Sequence, residues 1–505
     1  MTLFPMNAGQ ARARLVQLGA VLAATALIAG CGSQYRSVVT PINSSGPAPQ
    51  PGSFAAVVSA PSVTTPGIVT IIDYAGDSVL AIAPIGPGPT TFTIDEVGAN
   101  GYTVNSDGTL SNFPISPALQ AKQVTYSSLA STAQTVNLFS PSAGLWAADL
   151  YGNVADVFLP GAGGAQAFKL AIPVATTPIA IAGSSLLGQR DYAISQGNVS
   201  SGMACNTSPT TAPTGFADAI EVLSDTVSSN IPVGRCPVYG VQSADNQRFF
   251  VLNRGDDTVS VINSQNNTLN ACTPFLNQDG QMVTCHPTLP LSTTAVAATG
   301  ITPPNGTSGM TAIAGPVYAE YNAATAQLVV ANYDGGTISV IDVSEDEFGN
   351  DSATFGTTFT IPVGKNPASV TVLADGSRAY TANQTDGTVS IVTLSNHTVE
   401  KTLPVIGHPR TVVSTQNSIY GKVYVASPDS PYLTILRTDL DLTDTTILVE
   451  GNVVDVRVTT QTGSNGNNNT TSRIPGYGQP CNLPPSLEPA PTGTQTPLQV
   501  CRTLP

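Results

Sequence analysis

The residue types most able to do chemistry are scarce in this chain of 505 residues: seven cysteines, three histidines and one dense acidic run. Cys31 stands alone near the start, and the other six are Cys205, Cys236, Cys272, Cys285, Cys481 and Cys501. An even set in an oxidising compartment reads as disulfides. Sequence leaves the connectivity open, and proximity favours Cys205 with Cys236, Cys272 with Cys285, and Cys481 with Cys501. No cysteine pair has CxxC spacing and histidine is rare, so a zinc site is not expected. His286 lies beside Cys285, His397 in a turn at Ser395-Asn396-His397, and His408 before Pro409, all without metal-ligand spacing. Glu345, Asp346 and Glu347, with Asp342 and Asp351 nearby, are the kind of cluster that attracts calcium, but no spaced loop of the EF-hand kind holds them, so a solvated acidic loop is expected. Arg254-Gly255-Asp256 spells an adhesion tripeptide inside what reads as a repeated turn. No GxSxG, Walker-type or dinucleotide loop is present. We therefore expect no catalytic set, no metal and no cofactor.

The first thirty residues carry Arg12 and Arg14 ahead of an uncharged apolar run from Leu15 to Ala29. That run is shorter than the roughly 20 residues of a spanning helix and reads as a cleaved secretory signal. Leu27-Ile28-Ala29-Gly30-Cys31 looks like a bacterial lipobox, which makes Cys31 the expected lipid-attachment residue and the membrane, through that anchor, a partner. Gly32 and Ser33 follow without an acidic residue, which points to the outer membrane. Only 10% of residues are charged and the net charge is −14. Losing Arg12 and Arg14 with the signal deepens the negative charge, and such a surface should repel nucleic acid and anionic lipid.

The organisation that follows is 1–30 signal peptide, 31–52 Pro/Ser/Gly-rich tether, 53–461 a large β domain, and 462–505 a loosely ordered Pro/Asn/Gly-rich tail pinned by the last cysteine pair. Internal repetition decides the architecture of the long middle zone. Phe250-Val251-Leu252-Asn253 precedes Thr258-Val259-Ser260-Val261-Ile262, Val329-Val330-Ala331-Asn332 precedes Thr337-Ile338-Ser339-Val340-Ile341, and Tyr380-Thr381-Ala382-Asn383 precedes Thr388-Val389-Ser390-Ile391. Tyr424-Val425-Ala426-Ser427 and Leu433-Thr434-Ile435-Leu436 continue the series. Ile231-Pro232-Val233-Gly234, Ile361-Pro362-Val363-Gly364 and Leu403-Pro404-Val405-Ile406-Gly407 close the units.

This order of strand, polar turn, strand and Ile-Pro-Val-Gly ending resembles the YVTN β-propeller repeat family, specifically between Pro237 and Gly407 and more weakly upstream, at Tyr102-Thr103-Val104-Asn105, Trp146-Ala147-Ala148-Asp149, Tyr192-Ala193-Ile194-Ser195 and Ala56-Val57-Val58-Ser59. The resemblance implies an all-β propeller of four-stranded antiparallel blades. Motif ends at 59, 105, 149, 195, 253, 332, 383 and 427 count eight blades, and seven, the commoner number in that family, stands as the alternative. A blade takes about 40 to 50 residues, so the wider steps before 253 and 332 mark insertions.

The first copy begins at its second strand, near Phe54, and Val453-Val454-Asp455-Val456-Arg457-Val458 at the far end is expected to supply the missing inner strand and close the ring. The insertion from Gln196 to Phe216, with Cys205, falls on the same face as Cys236 in the connection to the next blade. The insertion from about Asn270 to Thr311 carries Cys272 and Cys285, and its placement before or after an outer strand is open. Three functions follow: a binding or scaffold module for a protein, glycan or cell-wall partner, which we favour; a lactonase-like propeller hydrolase, which needs a convergent polar cluster at the channel mouth; or a structural component of the envelope or a surface layer.

Overall fold

The computed structural model of the chain describes residues 54–95, 97–129, 135–140, 144–183, 190–197, 213–291 and 314–459. Residues 1–53, read above as signal and tether and including Cys31, and residues 460–505, with Cys481 and Cys501, lie outside them, as does Cys205. Short β-branched segments separated by Asp, Asn and Gly turns form eight four-stranded antiparallel sheets, whose strands are lettered a to d from the axis outward. The inner a strands of blades one to eight are Asn452–Val458, Thr91–Ile94, Thr135–Phe139, Pro178–Gly183, Pro237–Gln242, Pro316–Asn322, Pro367–Val372 and Thr411–Ser414. Each lies against the next, and the last lies against the first, so the ring is closed with eight blades.

Closure is made by the strand that leaves the domain. Asn452–Val458 pairs antiparallel with Phe54–Ala60, with Ala55 opposite Val458 and Val58 opposite Asp455, and Phe54 and Thr459 exchange hydrogen bonds of 2.7 and 2.9 Å. Blade one is thus assembled from both ends of the domain.

The repeat has a physical reason. In three regular blades the motif asparagine donates from Nδ2 to two hydroxyls of the following strand: Asn253 to Thr258 and Ser260 (3.1 and 2.9 Å), Asn332 to Thr337 and Ser339 (3.0 and 2.9 Å), and Asn383 to Thr388 and Ser390 (3.1 and 2.8 Å). Asn105 does the same to Thr109 and Ser111 across a turn one residue shorter. The glycine of the Ile-Pro-Val-Gly ending packs flat on that amide, because a Cβ on Gly234 or Gly364 would lie 2.6 Å from the Asn253 or Asn383 side chain. So the motif asparagine, the strand c hydroxyls and the terminal glycine are one packing unit.

Four blades begin strand a with a residue at positive φ followed by proline: Thr177, Cys236, Gly315 and Asn366. A register shift follows each proline, the kind of bulge that sharpens strand twist where the blade turns in toward the axis. Apolar side chains fill the gaps between blades, for example Tyr192 of blade four stacked on Phe249 of blade five at 4.3 Å.

The Cys272 insertion neither precedes nor follows the outer strand of blade five; it splits it. Thr268–Leu269 pairs with Ile262 and Asn263, while Thr288–Pro290 pairs with Thr258 to Ser260. Val261 joins the halves, accepting from the Asn270 amide (2.8 Å) and donating to the Pro287 carbonyl (2.9 Å). The chain between them leaves the sheet as a loop bearing a small hairpin, Phe275–Leu276 with Met282–Val283. A Cys272–Cys285 disulfide closes its neck, as proximity had suggested.

Candidate functional site

Antiparallel alternation puts the a–b and c–d turns on one face of the disc and the b–c turns and d–a connections on the other. On the b–c face the recurrent acids serve the ring. The Arg235, Lys365 and His408 amides donate to Asp256, Asp386 and Asp429 at 2.6, 2.7 and 2.8 Å, each to the b–c turn of the blade that follows. The Arg254-Gly255-Asp256 tripeptide is occupied too: Arg254 donates from Nε and Nη2 to Asp334 of blade six (3.1 and 2.9 Å), and Asp256 accepts from Arg235. These are turn and blade-joining groups.

The axis is filled. Every inner-strand residue whose side chain is described, except Asn452, is buried, including Asp455, Arg457 and Glu320. Arg457 donates to Asp455 (3.1 Å) and to the Phe92 carbonyl of blade two (3.2 Å), and Glu320 accepts from the Val372 amide of blade seven at 2.7 Å. Charges at the inner wall bind adjacent blades together.

Blades three and four carry a feature that sequence reading missed. At the strand c position held by Ser260, Ser339 and Ser390 stand Asp156 and Asp218. In blade three the motif asparagine is itself replaced by Asp149, which caps its own turn through the Tyr151 and Gly152 amides. Burial, and secondarily the Asp149 charge, pushes the Asp156 carboxyl up to about 6. Burial also raises Asp218, against the hydrogen bonds it accepts from the Ala175 amide and Asn230. Asp191 of blade four is fully buried and held well above the ordinary carboxylate range by that burial. The signal for Asp156 and Asp218 was in the sequence: an acid standing in register where other blades have Ser.

The richest polar cluster sits on the a–b face between blades five and six, and it is built around the insertion. Asp351, in the c–d connection of blade six, has no side-chain exposure. Its carboxylate accepts from Asn270 Nδ2 to both oxygens (2.8 Å each), from the His286 amide (2.9 Å) and from Arg248 Nη2 (3.3 Å), with His286 Nδ1 at 3.0 Å. Asn270 and His286 flank the two cysteines, so Asp351 grips the neck of the loop. Glu345 lies 3.0 Å from Arg248 Nη1, yet burial is the largest influence on its carboxyl and, with Asp245 and Asp351 nearby, pushes it up to about 7. This arrangement raises the Glu345 carboxyl above its ordinary range and fixes a loop.

The acidic run expected to be a solvated loop is in fact divided in its roles: Asp351 is buried, Glu345 half-buried, and Asp346 caps its own turn through the Phe348 and Asn350 amides. Among the described residues no group of three or more Cys, His, Asp or Glu side chains is arranged to hold a metal ion. The histidines were expected to be solvated loop residues, and His408 is one, its side chain 61% exposed with Nδ1 2.5 Å from Asp429, whereas His286 and His397 are half-buried, stacked on Phe355 and, at 3.7 Å, on Phe359. Cys236 is disulfide-bonded, and its expected partner Cys205 lies outside the described residues.

The clamped loop shows apolar side chains to solvent beside polar ones such as Thr273, Gln278, Asp279 and Gln281. Phe275, Leu276 and Met282 are 42%, 62% and 65% exposed, and Phe348 stands exposed on the neighbouring turn. The two turns meet where Asn277 donates to Asp346 at 3.4 Å.

No protein-family model matches the chain, and no curated protein matches it. Solved structures are similar in fold. Apo AztD from Citrobacter koseri is 13% identical, with 82% of this chain and 98% of that chain covered and a TM-score of 0.51. The dihydro-heme d1 dehydrogenase NirN, in complex with DHE, is 12% identical over 82% of this chain and 76% of its own, with a TM-score of 0.52. A putative 6-phosphogluconolactonase from Bacteroides fragilis is 15% identical over 82% and 99%, with a TM-score of 0.46. Identities this low speak to the propeller alone.

Proposed function

We propose that this chain is an exported, lipid-anchored envelope protein whose YVTN-type propeller is a binding or scaffold module for a protein, glycan or cell-wall partner. The observation that carries the reading is the blade-five loop: a disulfide neck, a buried Asp351 grip and three solvent-facing apolar side chains make a rigid presenting element. Clusters of exposed apolar residues on an otherwise polar rim mark contact surfaces. A disulfide fits an oxidising compartment, and the apolar run ending at Cys31 supports the anchor. The filled axis and the internally paired charges favour binding over hydrolysis at a channel mouth.

Labelling cells with a radioactive fatty acid tests the anchor, with label expected on the native chain and lost on Cys31→Ser. Retention on isolated peptidoglycan, and crosslinking from a photoreactive residue at position 276, test the binding role. A chain that is neither retained nor crosslinked within its envelope overturns it.

A further inference from the structure

The chain enters the propeller at Phe54 and leaves it after Val458, both on the a–b face of blade one. Exposed apolar side chains surround that point. Val79 and Leu80 begin the outer strand of blade one, Val97 lies in the a–b turn of blade two, and Ile419, Tyr420 and Leu440 lie in the a–b and c–d turns of blade eight. Val97 is 76% exposed and Ile419 61%.

The three blades are locked into one surface there. The turn carrying Val97 packs on the exit residue so closely that a Cβ on Gly98 would lie 2.8 Å from Thr459. Asp77, two residues before Val79, pairs with Lys422 of blade eight. Arg378 of blade seven donates to the Ser418 carbonyl (2.8 Å) and the Thr438 carbonyl (2.7 Å), holding both blade-eight turns in place. Among the described residues, Asp77 is paired with Lys422, Asp441 with Arg378 and Asp439 with Arg437, beside the exposed apolar tips.

We propose that this face of blades eight, one and two rests on the lipid bilayer that holds the Cys31 anchor; the proposal builds on the anchored reading above. Residues 32–53 separate Cys31 from Phe54, and even fully extended a chain of that length spans at most about 80 Å. The anchor therefore keeps the bilayer at high effective concentration beside the very face where the chain enters, so a small apolar contact is enough to orient the disc.

Hydrogen exchange on the full acylated chain in vesicles of phosphatidylethanolamine with a minority of phosphatidylglycerol tests this, against the unacylated Cys31→Ser chain free in buffer. Exchange is expected to slow several-fold at 77–80, 97–99, 417–421 and 439–442 on the vesicles. The Ile419→Asp/Leu440→Asp double variant, at two exposed positions, should abolish the slowing while the acylated chain stays bound. No slowing on a chain that still floats with the vesicles overturns the proposal, as does slowing centred on Ile406, Tyr432 and Leu448 of the opposite face. Failure of the anchor is read separately, as absence of acyl mass on the Cys31 peptide. A chain held instead on nickel-chelating vesicles through a histidine tag in place of the anchor then decides: slowing at the same turns upholds the surface, and none overturns it.

Discussion

Arg254 crosses from blade five to hold Asp334 of blade six through two hydrogen bonds, of 3.1 and 2.9 Å, and in doing so turns an adhesion-like tripeptide into a joint between blades. The guanidinium is almost completely buried while Asp334 keeps partial exposure.

Asp334→Ala strands that buried cation and is expected to cost about 2 kcal/mol, in the range of hydrogen bonds to charged groups. Chemical denaturation of the single variants and of Arg254→Met/Asp334→Ala checks it, with the double variant recovering part of the loss. A double-variant loss equal to the sum of the two single losses would leave the pair without coupling.

Gly364→Ala places a methyl group against Asn383 and should destabilise by about 1–3 kcal/mol, the usual result of overpacking. In an Asn383→Ala background the same substitution should cost distinctly less, because the clashing side chain is gone. Thermal unfolding of the four chains measures this.

Glu345 titrates near 7 when folded, above its ordinary 4.5, because of burial. A raised acid pKa means the folded state binds the proton more tightly, so the group's contribution is fully present below about pH 4.5 and is lost as pH rises through 7. Glu345→Gln, which keeps the neutral form, should therefore gain on the native protein as pH rises across that window, by on the order of 1–2 kcal/mol after allowance for solvent screening. Unfolding midpoints at pH 4.5 and 8 read it, and a difference that does not change between them contradicts it.

Opening the Cys272–Cys285 bond should loosen the loop and spare the ring. Protease cleavage between Pro274 and Thr284 is expected to rise at least severalfold after reduction or in Cys272→Ser/Cys285→Ser, with the main unfolding transition moved little, since Asp351 still holds Asn270 and His286. A collapse of the main transition would show that the bond supports the propeller itself.

The ring and its closure were legible because they recur. Eight motif ends fell within one residue of the ends of eight b strands, and the alternation of Val453 to Val458 marked the missing inner strand. The split outer strand of blade five was not legible: its first half, Thr268–Leu269, is two residues long and has no periodicity to detect. The grip on the neck was hidden for a different reason. Asp351 belongs to another blade, and nothing in the spacing of an acidic run tells a solvated carboxylate from one saturated by Asn270, His286 and Arg248. The apolar border around Phe54 was invisible because it is assembled from unlike turns of three blades, none of which repeats.

Phe54 and Thr459 are 405 positions apart in the chain and bonded to one another. While the polypeptide is being made or moved from its N-terminal end, seven sheets can collapse early, yet the eighth waits for the last segment to arrive. During that wait the free edge of Phe54–Ala60 is open to any other extended segment, and long-range pairings of this kind form slowly. The penalty for delay is therefore an unpaired edge, which stays open until the final strand comes home.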